Sequence, residues 1–314
     1  MKVIAFHTNE LNERGTNVAV YDYAHYNETI LGNKSYIISN AKNELSSLQK
    51  FENRFKVFLY HNFVDCEKFC TDNNIEYVYY IKAGDNDGKF IPGTKTLVHA
   101  VFQHKEMHGD VYTYISEWLA AEMGMPGNYV PHIVDMPQPK HCYRKKLGIP
   151  DEAIVLGRYG GQTEFDLPFT YSAIDRVLKE RDDIYFLFMN TQQFLPKHKN
   201  IIHVQGTYNM QHKSDFINTC DYMLHGRNLG ESFGLAIGEF LFHDKPVILW
   251  DGGNDKHHIT MLREKGIWYL DGQSLYEILK NIEKPKQQPN YYRSVVAKFA
   301  PDVVMTQFNK IFLN

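Results

Sequence analysis

Short apolar runs alternate with amphipathic stretches along the whole chain. In the first part, residues 3–6, 35–39, 56–60, 77–81, 96–102 and 111–115 read as strands. Residues 18–25, 65–73 and 117–123 instead carry apolar positions at helical spacing. Strands that are apolar at successive positions suit a sheet covered on both faces, so this alternation predicts βαβ units and a parallel sheet. Pro126, Pro131, Pro137 and Pro139 then follow one another at a density that neither helix nor central strand tolerates, which marks a linker. A second series repeats the pattern, with strands predicted at residues 154–156, 185–189, 201–204, 222–225 and 247–250. Its helices are predicted at residues 171–180, 214–219, 235–242 and 275–282. Residues 284–289 form a second proline-marked crossover, and residues 291–312 read as helical with a break at Pro301. The expected fold class is α/β, with two doubly wound Rossmann-like halves facing an interdomain cleft, a common place for a small-molecule site.

Composition narrows the function more than the fold. At 314 residues, 43% hydrophobic and 23% charged, the chain suits two ordinary globular domains. A net charge of −3 gives no long-range pull on nucleic acid or an anionic membrane surface. The basic cluster at residues 140–146 reads as the solvated start of a helix. Cys66, Cys70, Cys142 and Cys220 contain no zinc-type pair and are expected to be buried reduced thiols, with no metal site. Residues 2–6 are too short for a signal-peptide core and no apolar run approaches the roughly 20 residues that span a bilayer. A cytoplasmic protein with no integral membrane segment is expected, its oligomeric state left open. No P-loop, dinucleotide-binding glycine fingerprint or nucleophile elbow occurs, which argues against ATPase, dehydrogenase and serine hydrolase.

The densest chemistry lies between Glu231 and Glu239, in the run Glu231, Ser232, Phe233, Gly234, Leu235. Gly230 and Gly234 permit positive φ and a close approach of backbone to ligand. A helix beginning at Leu235 would turn the amides of Phe233, Gly234 and Leu235 outward, toward phosphate or sugar oxygens. Glu239, about one turn further on, could accept hydrogen bonds from vicinal hydroxyls. The alternative is an ordinary solvated helix with surface glutamates.

This stretch resembles the donor-sugar motif of retaining glycosyltransferases of the GT-B fold, family-4 type. Ser116 before Glu117, the segment from Tyr129 to Asp135, Leu156, Gly157 and Arg158, then Gly206 and Cys220 with Asp221, follow in that family's order over nearly the whole chain. The resemblance implies an acceptor-side N-terminal domain, residues 1–135, completed by a C-terminal helix at 290–314. It implies a nucleotide-sugar domain at residues 136–289. It implies a sugar moved from a UDP- or GDP-linked donor to a hydroxyl acceptor, a glycan, with retention of configuration and no metal or other cofactor. By position, Glu231 would contact the donor sugar and Glu239 the ribose. The Ser232, Phe233, Gly234 and Leu235 segment would hold sugar and phosphate oxygens, and Arg158 would neutralise the diphosphate. Gly15 and Thr16 resemble the phosphate-facing glycine loop, with one glycine of the usual pair absent. His99 resembles the active-site histidine, and His104 and His108 compete for that role.

One departure matters. Six residues after Arg158 the family commonly has a lysine, and here Glu164 stands there. Arg227 is the candidate replacement cation, with Lys213 behind it. Glu164 is also the one feature that favours a silent GT-B binding module over an enzyme. Asp85, Asn86 and Asp87 match the shape of a metal-dependent glycosyltransferase motif, although Gly84 to Gly88 is dense in turn formers and reads first as a turn.

Overall fold

The computed structural model describes residues 1–286 and 288–314, and the chain divides into two units, Met1–Ile133 with Lys298–Asn314, and Val134–Ala297. The first unit holds six strands: β1 (Val3–Thr8), β2 (Lys34–Asn40), β3 (Lys56–Tyr60), β4 (Tyr77–Lys82), β5 (Lys95–Ala100) and β6 (Val111–Tyr114). They pair in parallel in the order β3-β2-β1-β4-β5-β6. Helices α1 (Gly15–Thr29), α2 (Leu48–Glu52), α3 (Asp65–Asp72) and α4 (Glu117–Glu122) accompany them, while the crossovers at residues 83–94 and 101–110 carry none. The chain end returns to this unit. Phe308, from the helix Pro301–Phe308, stacks 5.3 Å from Tyr23, and Phe312 lies 5.5 Å from Tyr79, closing an aromatic core. Such rings contribute through area buried and through edge or offset contacts.

The second unit is built on β7 (Ile154–Tyr159), β8 (Ile184–Met189), β9 (Ile201–Val204), β10 (Tyr222–Leu224), β11 (Gly230–Glu231), β12 (Val247–Trp250), β13 (Asp255–Lys256) and β14 (Ile267–Tyr269). Its main sheet is parallel in the order β14-β12-β10-β7-β8-β9, and β11 pairs with β13 apart from it. Its helices include α5 (Arg144–Leu147), α6 (Pro168–Leu178), α7 (Met210–Thr219), α8 (Leu235–Phe242), α9 (His257–Leu262) and α10 (Gly272–Asn281). Ile174 and Val177 of α6, with Leu275 and Leu279 of α10, join Leu156, Phe186 and Phe188 of the sheet in one buried cluster. Truncating a ring there, as in Phe186→Ala, costs about 3–5 kcal/mol.

Counted from its own first strand, each sheet has the doubly wound order 3-2-1-4-5-6. The strand order therefore reverses direction beside β1 and β4 in one unit, and beside β7 and β10 in the other. Ligands of such sheets gather at the carboxyl ends of the strands flanking that point.

Several expectations need correction. Arg158 lies inside β7 rather than in a loop after it. Gly157 lies inside β7 as well, where a Cβ would stand 2.2 Å from Cys220 Sγ, so the glycine makes room for the neighbouring thiol. Gly15 and Thr16 open α1 rather than preceding it. The basic cluster is not simply solvated: Arg144 is buried, pairs with Asp221 at 2.7 Å and donates to the carbonyls of Asp151 and Ala153. Cys142 is exposed, while burial pushes the thiols of Cys66 and Cys70 up to about 12 and about 11. Among the described residues no helix is long and apolar enough to cross a membrane.

Candidate functional site

The carboxyl ends of β7 and β10 bring together most of the charged residues singled out by the sequence. Arg158, one residue from the end of β7, is only 5% exposed. Its Nη1 donates to Thr191 Oγ1 at 2.6 Å, and both terminal nitrogens donate to the Gly161 carbonyl at 3.3 Å. The guanidinium also lies 5.7 Å from the centre of the Phe165 ring. Burial lowers its pKa to about 10, against the opposing pull of Glu164 and Glu231, so it stays a cation at neutral pH.

Glu164 does not turn away from the cations. Its Oε2 accepts from the Gly161 amide at 3.1 Å, closing the loop after β7, and its Oε1 accepts from Arg227 Nη2 at 3.2 Å. Arg227 gives its other terminal nitrogen to Glu231 Oε2 at 3.1 Å. One guanidinium is thus shared between two carboxylates. Burial works against that cation, but Glu231 and Glu164 more than offset it and raise its pKa. Glu164 is 39% exposed, Glu231 only 20%. An exposed ion pair contributes only about 0–1 kcal/mol, so the Glu164 arm is the weaker of the two.

Glu231 sits on β11, held off the main sheet by its pairing with β13. Gly230 has φ +77°, and a Cβ there would stand 2.0 Å from the Asp255 carbonyl oxygen, so only glycine fits. Behind Glu231 stand two buried histidines. His225 Nε2 is 3.4 Å from Glu231 Oε1, at an angle too poor for a hydrogen bond, and the His258 ring lies 5.1 Å from that of His225. Burial lowers the His258 pKa to about 3. For Glu231, burial favours the neutral acid, yet His225 and Arg227 outweigh it and hold the carboxyl at about 2. It is a carboxylate acceptor, with no proton to give at neutral pH.

Glu231 leads through Ser232 and Phe233 into α8. Phe233 stacks on His257, whose Nδ1 donates to the Phe233 carbonyl at 2.8 Å. Gly234 is the N-cap of α8 with φ +86°, and no side chain caps the helix. The amides at Leu235 and the residues after it therefore begin a helix with no intrahelical acceptor, a geometry that favours anions. Glu239, one turn into α8, is 2% exposed, and the Tyr159 hydroxyl donates to its Oε2.

In the first unit Gly15 and Thr16 begin α1, which also lacks a side-chain cap. Asn12, Asn17 and Thr8 tie the turn before it together: Thr8 donates to Asn17 at 2.9 Å and Asn17 to Asn12 at 2.7 Å. His99 is on β5 with no exposed surface. Its Nδ1 takes the Tyr79 hydroxyl at 2.6 Å, and its Nε2 donates to the Val130 carbonyl at 2.9 Å. Burial lowers its pKa to about 3, so the ring is neutral, saturated with partners and in contact with no ligand surface. The expected role beside a reacting sugar does not fit this placement. Of its competitors, His108 Nδ1 donates to the Glu106 carbonyl at 2.6 Å. Asp87 is paired with Lys82 at 2.6 Å and Lys89 at 3.3 Å, and its Oδ1 also takes the Lys89 amide, which fits a turn. Among the described residues no group of three or more His, Cys, Asp or Glu side chains is arranged to hold a metal ion.

The sequence reading did not pick out Tyr159, Thr191, His225 or His258. Tyr159 had a signal, since it follows Arg158 in a strand and so points to the opposite face, toward α7 and α8. Thr191, in the loop after β8, and His258, in α9, are distant in sequence and carry no local pattern.

No family model and no curated protein matches the sequence. The fold is nonetheless similar to solved structures along their full length. Anabaena HepE in complex with UDP and glucose superposes with TM-score 0.71 and 12% identity, over 99% of each chain. A glycosyltransferase from Rickettsia africae ESF-5 gives 0.67 and 13%, over 100% of this chain and 99% of that one. Sucrose-phosphate synthase from Thermosynechococcus elongatus gives 0.68 and 12%, over 100% and 98%. The chain has the GT-B fold.

Proposed function

We propose that the protein is a retaining glycosyltransferase of the family-4 type, moving a sugar from a nucleotide-sugar donor to a hydroxyl of a glycan acceptor without a metal. The observation that carries this reading is the convergence of Arg158, Arg227, Glu231 and the uncapped start of α8 at the strand-order reversal of the second sheet. The UDP bound by the Anabaena protein favours a UDP-linked donor over a GDP-linked one.

In this reading Arg158 and the α8 amides neutralise the diphosphate, and Arg227 joins them by exchanging Glu164 for a phosphate oxygen. Glu231, held as a carboxylate, accepts hydrogen bonds from the sugar hydroxyls, while Glu239 accepts from the ribose. The bond from the anomeric carbon to the diphosphate oxygen breaks as the acceptor oxygen bonds on the same face. The acceptor proton passes to the leaving diphosphate. The chain contributes positioning and stabilisation of developing negative charge rather than a carboxylate acid–base pair.

The test is a thermal-shift series with UDP, GDP and ADP sugars in EDTA. A ligand at 100 times its Kd adds about 2.7 kcal/mol to stability. A UDP-sugar shift, followed by UDP release on adding a glycan acceptor and a product of unchanged anomeric configuration by NMR, is expected. No shift with any nucleotide would overturn the reading. A second reading, a silent nucleotide-binding module, is favoured by the Glu164 carboxylate on Arg227. Binding without any turnover or donor hydrolysis would select it.

A further inference from the structure

One buried charge in the second unit lacks a counter-charge. Lys213 is in the first turn of α7, which begins under an Asn209 cap. It is 5% exposed, and its ammonium lies over the Tyr159 ring, 5.4 Å from the centroid. Among the described residues no carboxylate forms an ion pair with it, unlike Arg144 and Arg227, and no hydroxyl or carbonyl takes its charge as Thr191 and Gly161 take that of Arg158. Two costs therefore fall on this side chain. An unpaired ammonium on so buried a side chain loses part of its hydration, and a cation in the first turn of a helix opposes the helix dipole. A cation–π contact returns only about 0.5–2 kcal/mol. Folding alone does not account for keeping a lysine here.

The surroundings point to a ligand. The Tyr159 ring beneath the ammonium is the one whose hydroxyl holds Glu239, so Lys213, Tyr159 and Glu239 form a single connected group. An ammonium has three donors and no acceptor, so its partner must present acceptors. Glu239 is an acceptor and takes hydroxyls. The pair is complementary to a nucleoside, with the ribose hydroxyls on the carboxylate and a carbonyl-bearing base beside the ammonium.

We propose that Lys213 contacts the nucleobase of the donor and selects bases that offer a carbonyl, uracil above all, over adenine, which presents an amino group at the matching edge. The inference rests on the proposed donor-binding function and adds base selection to it.

The experiment is calorimetric titration of the full chain with UDP and ADP. Lys213→Met, which keeps the apolar stem, is expected to weaken UDP at least about tenfold, the usual loss of a charged hydrogen bond. ADP is expected to change less than threefold. Lys213→Arg is expected to recover part of the UDP affinity. The melting temperature of ligand-free Lys213→Met is expected to hold or rise, because an unpaired buried charge has gone. Equal losses for UDP and ADP would make Lys213 a phosphate contact and overturn the proposal, as would an unchanged UDP affinity. Arg158→Met serves as the control. If the unaltered protein binds neither nucleotide, the function reading fails. If it binds UDP and the control loses it, that reading stands and the Lys213 variants alone decide.

Discussion

The two sheets share one strand order, yet the points where that order reverses are furnished in opposite ways. In the first unit, the end of β1 meets amides and hydroxyls, Thr8, Asn12 and Asn17, bonded to one another, and β4 ends in Lys82, whose charge is taken up by Asp87. In the second, the ends of β7 and β10 meet two guanidinium groups and two carboxylates in contact. Topology sets where a ligand can approach, and side chains decide what kind. The first reversal can offer amides at the start of α1. The second sets two guanidinium groups, Arg158 and Arg227, at its reversal.

The comparison breaks most readily at Arg158. Arg158→Met should weaken UDP binding by about 3 kcal/mol, more than a hundredfold by calorimetry, because a desolvated cation meeting phosphate is worth that much. Asn17→Ala, at the corresponding place in the first unit, should change it less than threefold. Comparable losses would end the distinction. Glu231→Gln should lower turnover by roughly 2–3 kcal/mol in activation free energy while leaving UDP affinity nearly intact, since it removes an acceptor for the sugar alone. The same residue has an acid signature. Its carboxyl sits at about 2 against an ordinary 4.5, so its stabilisation is complete above about 4.5 and disappears as pH falls toward 2. Thermal melts from pH 6 to pH 2.5 should show a shallower decline in Glu231→Gln. His99→Ala should cost about 2 kcal/mol of stability through two lost buried hydrogen bonds, with UDP affinity unchanged. Loss of turnover in a variant that is still folded would return His99 to the chemistry. The smallest effect is expected at Glu164→Gln, which keeps an acceptor for the Gly161 amide and removes the charge competing for Arg227. UDP should bind a few-fold tighter, within about 1 kcal/mol.

Much of this frame was legible in the amino-acid pattern. Strands β3, β9 and β12 and helix α8 begin and end where the apolar runs do, because each is bounded by turn formers or charge. Strands β11, β13 and β14 were not legible, being too short to show a period, although the equally short β10 was. The pairing of β11 with β13 also needs a glycine at 230, since a Cβ there would strike the Asp255 carbonyl. Arg158, Glu231 and Glu239 could be singled out by their place in a motif, and Arg227 by its charge, while the partners Thr191, His225 and Tyr159 could not. Glu164 looked repulsive because sequence gives the sign of a charge but not its neighbour. In space its neighbour is Arg227. His99 looked functional for the converse reason, as its saturation by Tyr79 and Val130 is visible only once β4, β5 and the linker are in place.

The double grip on Arg227 has a kinetic consequence. Were that guanidinium satisfied only by a bound diphosphate, each departing product would strand a half-buried cation, and the off-rate would carry that penalty. With Glu164 tethered within reach, the bond to phosphate can be exchanged for one to the protein in a single step. A family lysine at that position would add affinity. In the proposed function, Glu164 would trade that affinity for a faster exit of the spent nucleotide, and weaker product inhibition would follow from the same contact.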